Sequence, residues 1–173
     1  MPYSDASLRP WILERLQKAS AGGPVKTVID VGAGGGSARD FFQPHFAGSH
    51  WTAVEIWRPY IPRFLLAERY DAVIAADIRA LPLPEADLYI FGDVMEHMTA
   101  GDAVAVWDRA RLAARWLVLS LPVTCYPQGE SEGNPFEAHL HHWSEAEVLD
   151  SFAGITGHRC GPVVGAFVAE GLR

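Results

Sequence analysis

The chain has 173 residues, 49% of them apolar and 20% charged, with a formal net charge of -7. This size and composition describe a folded globular chain with a core of its own and exclude a disordered one. The acidic balance, with no Lys/Arg run to offset it, makes nucleic acid a poor partner, and no run of about 18 apolar residues reads as a membrane span.

The opening "MPYSDASLRPW" lacks a basic stretch followed by an apolar one, so no membrane association and a cytoplasmic location are expected. "LRPWILERLQKA" (8–19) places Trp11, Ile12, Leu13 and Leu16 on roughly one helical face, and Gly22, Gly23 and Pro24 end it and form the single candidate hinge. "VKTVIDVG" is apolar on both faces, as a parallel strand covered by helices should be. "SARDFFQPHF" reads as a helix that Ser37 can cap and Pro44 ends. "HWTAVEIW" is a second strand, "YIPRFLLAERY" one helix with Pro62 in its first turn, and "DAVIAADI" a third strand. After the turn "LPLPE" come a fourth strand, "ADLYIFGDV", a helix in "AGDAVAVWDRARLAARW" and a fifth strand, "WLVLSLPV". This order predicts a mostly parallel sheet layered by helices within a single domain, residues 1–173.

Beyond Pro122 the texture changes. "TCYPQGESEGNPFEAHLHHW" (124–143) holds two prolines and three histidines and is too polar for a sheet core, so it is expected to be a functional loop. "SEAEVLDSF" follows as a helix with Ser144 and Glu147 in capping-box spacing. The end, "GITGHRCGPVVGAFVAEG", predicts two strands around Gly161 and Pro162, a hairpin closing the sheet edge. Cys125 and Cys160 are too few and too far apart for a disulfide framework, and both are expected to be free thiols.

The stretch "VIDVGAGGGS" (28–37) concentrates four glycines in five positions directly behind a strand. A ligand can then approach the backbone closely, which a plain tight turn does not require. The dinucleotide spacing G-x-G-x-x-G/A fails here, because Ser37 or Arg39 falls at its last position, and the Gly-Lys-Ser/Thr of a phosphate loop is absent. What remains is an acid, Asp30, just before glycines at 32, 34 and 36.

That pattern resembles motif I of the class I S-adenosylmethionine-dependent methyltransferases, and the likeness continues through residues 25–120 or so. The resemblance implies that Asp30, Gly32, Ala33, Gly34 and Gly36 cradle the methionine part of the cofactor. It gives the ribose hydroxyls to Glu55, with Ile56 beside it, and the adenine to Asp77 and Ile78. "GDVMEHM" is similar to the family's segment next to the sulfonium and contributes Asp93 and Val94. A carboxylate can accept two hydroxyl hydrogen bonds where loop amides cannot, so Glu55 suits the ribose. The implied fold is a Rossmann-like, seven-stranded, mostly parallel α/β sheet with a C-terminal antiparallel hairpin and helices on both faces. The loop over 124–143 looks like that of small methyltransferases of actinobacterial and phage type, and is expected to cover the acceptor pocket.

Within that resemblance, catalysis requires an acceptor placed in line with the sulfonium and relieved of its proton. Glu96 and His97 on the fourth-strand loop and His141 on the long loop are the expected catalytic groups, since imidazole titrates near neutrality and suits a hydroxyl. S-adenosylmethionine is the expected cofactor, leaving as S-adenosylhomocysteine, with a small-molecule acceptor. A metal is not expected, and the residues that would hold one are Asp93, Glu96, His97 and His139, a set similar to that of metal-dependent 2'-O-methyltransferases. Two other readings stay open: a non-catalytic S-adenosylmethionine-binding regulatory subunit, and a nicotinamide-dependent oxidoreductase of the same fold class, which the glycine spacing disfavours.

Overall fold

The structure, a computed structural model, describes residues 5–19 and 23–173, so Gly22 of the expected hinge lies outside the described residues. Helix α1 (Arg9–Ala19) leads into strand β1 (Thr27–Val31), helix α2 (Ser37–Phe42) and strand β2 (His50–Val54). Two single turns follow, α3 (Tyr60–Arg63) and α4 (Leu66–Arg69), and then strands β3 (Ala72–Ile74) and β4 (Ala86–Gly92). Helix α5 (Ala100–Ala113), strand β5 (Ala114–Pro122), helix α6 (Glu145–Ser151) and strands β6 (Ile155–Cys160) and β7 (Val164–Glu170) complete the order.

The strands form one seven-stranded sheet in the order β3-β2-β1-β4-β5-β7-β6. The first five run parallel, while β7 is antiparallel to both β5 and β6, so the terminal hairpin inserts its second strand into the sheet rather than its first. Side chains alternate across each strand, and the alternation feeds two cores. Ile29, Val31, Tyr89, Phe91, Leu117 and Leu119 pack with Val106 and Trp107 of α5 and Phe152 after α6. Val28, Trp51, Ala53, Leu88, Ile90 and Val168 pack on the other face with Ile12 and Leu16 of α1 and Phe42 of α2. Helices therefore cover both faces, which explains why β1 and β4 are buried almost throughout. Each fully buried Leu or Phe side chain, Leu88 and Phe91 among them, contributes about 1.5–3 kcal/mol of transfer free energy.

Three local expectations change. Residues 60–70 do not form one helix, because Leu65 takes a left-handed φ of 53° and breaks the run into α3 and α4. Ser37 does not cap α2: Gly36 occupies that position with φ 72°, and the Ser37 hydroxyl instead accepts from Arg9 Nη2 at 2.8 Å. The third strand stops at Ile74, leaving Asp77 in the loop beyond it. The Ser144 cap holds, its hydroxyl accepting from the Glu147 amide at 3.2 Å, and Cys125 and Cys160 are free. Among the described residues no helix is long and apolar enough to cross a membrane.

Candidate active site

A cavity of about 580 Å3 opens at the carboxyl ends of β1, β2 and β4, within the range of about 300–1,000 Å3 typical of small-molecule sites. The crevice at the strand ends is where open α/β sheets bind ligands, because the loops diverge there. Of the expected cofactor residues, Asp30, Gly32, Ala33, Gly34, Glu55, Ile56, Asp77, Ile78, Asp93 and Val94 all line it. Gly36 does not; it sits one turn away, where a Cβ would meet the Arg69 guanidinium at 2.5 Å.

The glycine loop is held by the neighbouring strand. The Gly32 amide donates to the Val54 carbonyl at 2.8 Å, and Gly32 has a φ of 63°. A Cβ at Gly32 would lie 2.5 Å from Val94 Cγ2, so the two loops can close on each other only around a glycine. Gly34 turns its amide toward Glu55 Oε2 at 3.0 Å, while Glu55 Oε1 accepts from the Trp57 amide at 2.8 Å. Glu55 is 4% exposed, and burial raises its pKa against the pull of these two amides. Each oxygen keeps a further lone pair for a ligand hydroxyl.

Asp30 is 2% exposed and accepts from the Tyr70 hydroxyl at 2.6 Å. Burial drives its pKa up to about 7, with the Tyr70 bond and Arg9 opposing that rise. Arg9, itself buried, donates from Nη1 to the Ser37 carbonyl at 2.8 Å and so ties α1 beneath the loop. Asp77 is gripped by Arg79, whose Nη2 reaches Oδ2 at 2.7 Å and whose Nε reaches both oxygens at 3.0 Å; the pairing lowers its pKa. Asp93 has a φ of 52°, a left-handed conformation that costs of order 1 kcal/mol and recurs at functional sites. Its amide donates to the Ser120 carbonyl at 2.8 Å, and it caps no helix, since Thr99 caps α5.

Across the cavity stand Glu96, His97 and His139, which offer one ligand atom each within 4.8 Å of one another. Asp93 is not one of that group. Glu96 is 1% exposed, and neither carboxyl oxygen has a hydrogen-bond partner among the described residues; burial and then Asp93 raise its pKa well above the usual range. Burial lowers the pKa of both His97 and His139. His141 is not in the cavity wall: its Nε2 lies 2.7 Å from Glu147 Oε1 and its ring packs on Trp143.

The long loop contributes cavity residues that no local pattern marks, among them Tyr126, Gln128, Asn134, Phe136 and Glu137. Glu137, 9% exposed, accepts from the Tyr60 hydroxyl at 3.0 Å, which ties the loop to α3. Tyr70, Arg9 and Tyr60 were equally silent in the sequence, because each acts through a partner 28 to 77 positions away.

No protein-family model matches the sequence, and neither does any curated protein. The fold is that of the Rossmann-like class I S-adenosylmethionine-dependent methyltransferases, seven strands with a reversed seventh. Three solved structures illustrate it. The N-terminal domain of EvdMO1 with S-adenosylhomocysteine bound is 15% identical, with 92% of this chain and 80% of that one covered and a TM-score of 0.64. The PH0226 protein from Pyrococcus horikoshii is 16% identical, with 98% and 94% covered and a TM-score of 0.67. The Burkholderia thailandensis 1,6-didemethyltoxoflavin-N1-methyltransferase, solved with its acceptor and S-adenosylhomocysteine, is 19% identical, with 97% and 79% covered and a TM-score of 0.66.

Proposed function

We propose that this chain transfers a methyl group from S-adenosylmethionine to the hydroxyl of a small-molecule acceptor. The observation that carries the reading is the pair of buried carboxylates at adjacent strand ends, Asp30 on β1 and Glu55 after β2, which line one cavity with the glycine loop between them, its Gly34 amide donating to Glu55. When bound, S-adenosylmethionine supplies an electrophilic methyl on a positively charged sulfur. The cavity suits that charge: its wall carries seven carboxyl side chains against one guanidinium, and that one, Arg79, is already committed to Asp77. Asp30 and the loop from Gly32 to Gly34 hold the amino-acid end, Glu55 the ribose, and Asp77 with Ile78 the adenine.

Acceptor chemistry falls to the opposite wall. The Nδ1 of His97 lies 3.2 Å from the Ala138 carbonyl. A carbonyl can only accept, so Nδ1 carries the hydrogen and Nε2 keeps the lone pair. His97 then takes the proton that an acceptor hydroxyl releases as its oxygen bonds the methyl carbon. Its lowered pKa keeps it neutral near pH 7, in the form a base needs. Glu96, held protonated by burial, adds no repelling charge beside a developing oxyanion. The loop over 124–143 forms the cover, with Tyr126 and Phe136 as an apolar rim suited to a small organic acceptor. Structural neighbours support a small acceptor, the toxoflavin enzyme being named for transfer to nitrogen and the mitomycin 7-O-methyltransferase for transfer to oxygen.

A calorimetric titration with S-adenosylhomocysteine, with NADH as the comparison ligand, tests it. One-to-one binding of the first alone is expected. Binding of NADH alone, or of neither, contradicts the reading.

A further inference from the structure

The end of the cavity left for the acceptor is acidic and holds no Lys or Arg. Asp30, Glu55 and Asp77 belong to the proposed cofactor contacts, and the one guanidinium in the wall, Arg79, is bound to Asp77. Glu96 and Glu137 remain, both buried, where the long loop closes the cavity. Glu137 Oε1 accepts from the Tyr60 hydroxyl at 3.0 Å and from the Asn134 side-chain amide at 3.5 Å. Glu96 is 1% exposed, and neither of its carboxyl oxygens has a hydrogen-bond partner among the described residues. An unsatisfied buried carboxyl group is costly, and native proteins keep one where a ligand satisfies it.

Desolvation penalises a charge of either sign, so the partner on offer decides which charge an acceptor can bring. A cation meets the Glu96 carboxylate, whereas an anion meets two acids and no Lys or Arg. His97 and His139 do not reverse this, because burial lowers both pKa values and favours neutral rings. Position narrows the choice further. A carboxyl oxygen of Glu96 and a ring nitrogen of His97 lie within 4.8 Å of each other. Hydrogen bonds of about 2.8–3.0 Å from those two atoms therefore end on ligand atoms that are near neighbours. A hydroxyl presented to His97 places the substituent of the adjoining carbon at Glu96. The Leu140 and His141 amides donate to the Glu96 carbonyl at 2.8 and 3.2 Å and hold that turn against the loop. Tyr126 and Phe136 line the same end and supply ring surface for the carbon frame of a ligand.

We infer that the acceptor is a vicinal amino alcohol, a cation whose amino group sits on the carbon next to the methylated hydroxyl and is held by Glu96. This acceptor class deepens the proposed methyl transfer to a hydroxyl and rests on it. An amine that enters as the free base takes up the Glu96 proton, so carboxylate and ammonium form together. The pair carries no net charge, and the hydroxyl beside it can still give its proton to His97 as its oxygen bonds the methyl carbon. Phosphorylated or carboxylated acceptors are disfavoured at this wall, since no basic side chain receives them.

The test titrates the full chain, saturated with S-adenosylhomocysteine, in a calorimeter with three probes of matched shape: trans-2-aminocyclohexanol, trans-cyclohexane-1,2-diol and trans-2-hydroxycyclohexanecarboxylate. The amino alcohol is expected to bind at least about tenfold more tightly than the diol, on the order of one hydrogen bond to a charged group, and the hydroxy acid to bind most weakly. Glu96→Gln should bring the amino alcohol to within about twofold of the diol by removing the charge that pairs with it. Glu130→Gln removes an exposed acid of the same loop outside the cavity wall and should leave the preference within about twofold of wild type. Equal affinity for the three probes, failure of the amino alcohol to bind, tighter binding of the hydroxy acid, or an undiminished preference in Glu96→Gln overturns the assignment. Titration of each sample with S-adenosylhomocysteine beforehand shows that the variant is folded and keeps the two readings apart. Cofactor-product binding without a preference for the amine defeats the acceptor class alone, whereas its absence in the wild-type protein defeats the methyl-transfer reading and the acceptor class with it.

Discussion

The two walls of the cavity are built by different means. On the β1–β2 side, every polar group is placed by the sheet: Asp30 is the fourth residue of β1, paired with Ala53 of β2, and Glu55 follows β2 directly, with its oxygens fixed by the Gly34 and Trp57 amides. On the opposite side, Glu96 and His97 sit on a 3-10 turn, Met95–His97, just after β4, and the other groups come from a long segment whose only regular features are a 3-10 turn over Pro135–Glu137 and a bridge between Ser131 and Asn134. That segment is positioned by side-chain and amide bonds to distant residues, Tyr60 to Glu137 and Leu140 to Glu96. The lesson is that one wall inherits its geometry from strand register and the other from tertiary contacts. The first should be rigid and locally breakable, the second adjustable.

The largest effect should come from Asp30→Ala. Calorimetry is expected to find S-adenosylhomocysteine binding abolished, while circular dichroism remains that of the wild-type fold; normal binding by a folded variant would mean that the strand-built wall does not hold the cofactor. Gly32→Ala strikes the same wall through sterics. Its Cβ falls 2.5 Å from Val94 at a left-handed φ, and urea denaturation should show a loss of about 1–3 kcal/mol together with weakened ligand binding.

The pH dependence is smaller and carries a definite sign. The folded pKa of Asp30, about 7, lies above its ordinary 3.8, so the buried site favours the protonated acid. The stability this contributes is fully present below 3.8 and is lost as pH rises through about 7. Asp30→Asn should flatten that part of the stability profile. Ligand affinity should move the opposite way, rising with pH through about 7 as the carboxylate needed by the ligand ammonium forms, by up to roughly tenfold per unit below the pKa. The least disruptive change is Tyr60→Phe, on the loop-built wall. It removes the hydroxyl that Glu137 accepts from, with an expected cost of about 1 kcal/mol and S-adenosylhomocysteine affinity within twofold of wild type.

The same division explains what could be read from the sequence. Asp30 was legible beside its glycines, and Glu55, Asp77 and Asp93 through the family resemblance, which could be laid onto this chain because strand ends are visible as apolar runs that stop and a sheet converts those stops into one line of sites. The broken helix at Leu65 was not legible, since nothing in "YIPRFLLAERY" signals a left-handed residue. Nor was the capture of Asp77 by Arg79, two positions on, or the hydroxyl of Tyr70 on Asp30, which depends on β3 lying beside β2. On the loop, composition announced a functional segment but could not rank its histidines. His139 faces the cavity and His141 turns to Glu147, a choice made by the bonds at Ala138, Tyr126 and Glu147.

The most direct test of the central claim is a crystal structure with S-adenosylhomocysteine. The ribose hydroxyls are expected on the Glu55 carboxylate and the amino-acid end against Asp30 and the loop from Gly32 to Gly34, with the sulfur turned toward Asp93 and Val94. Ligand density elsewhere, or in this cavity with the ribose away from Glu55, would contradict it.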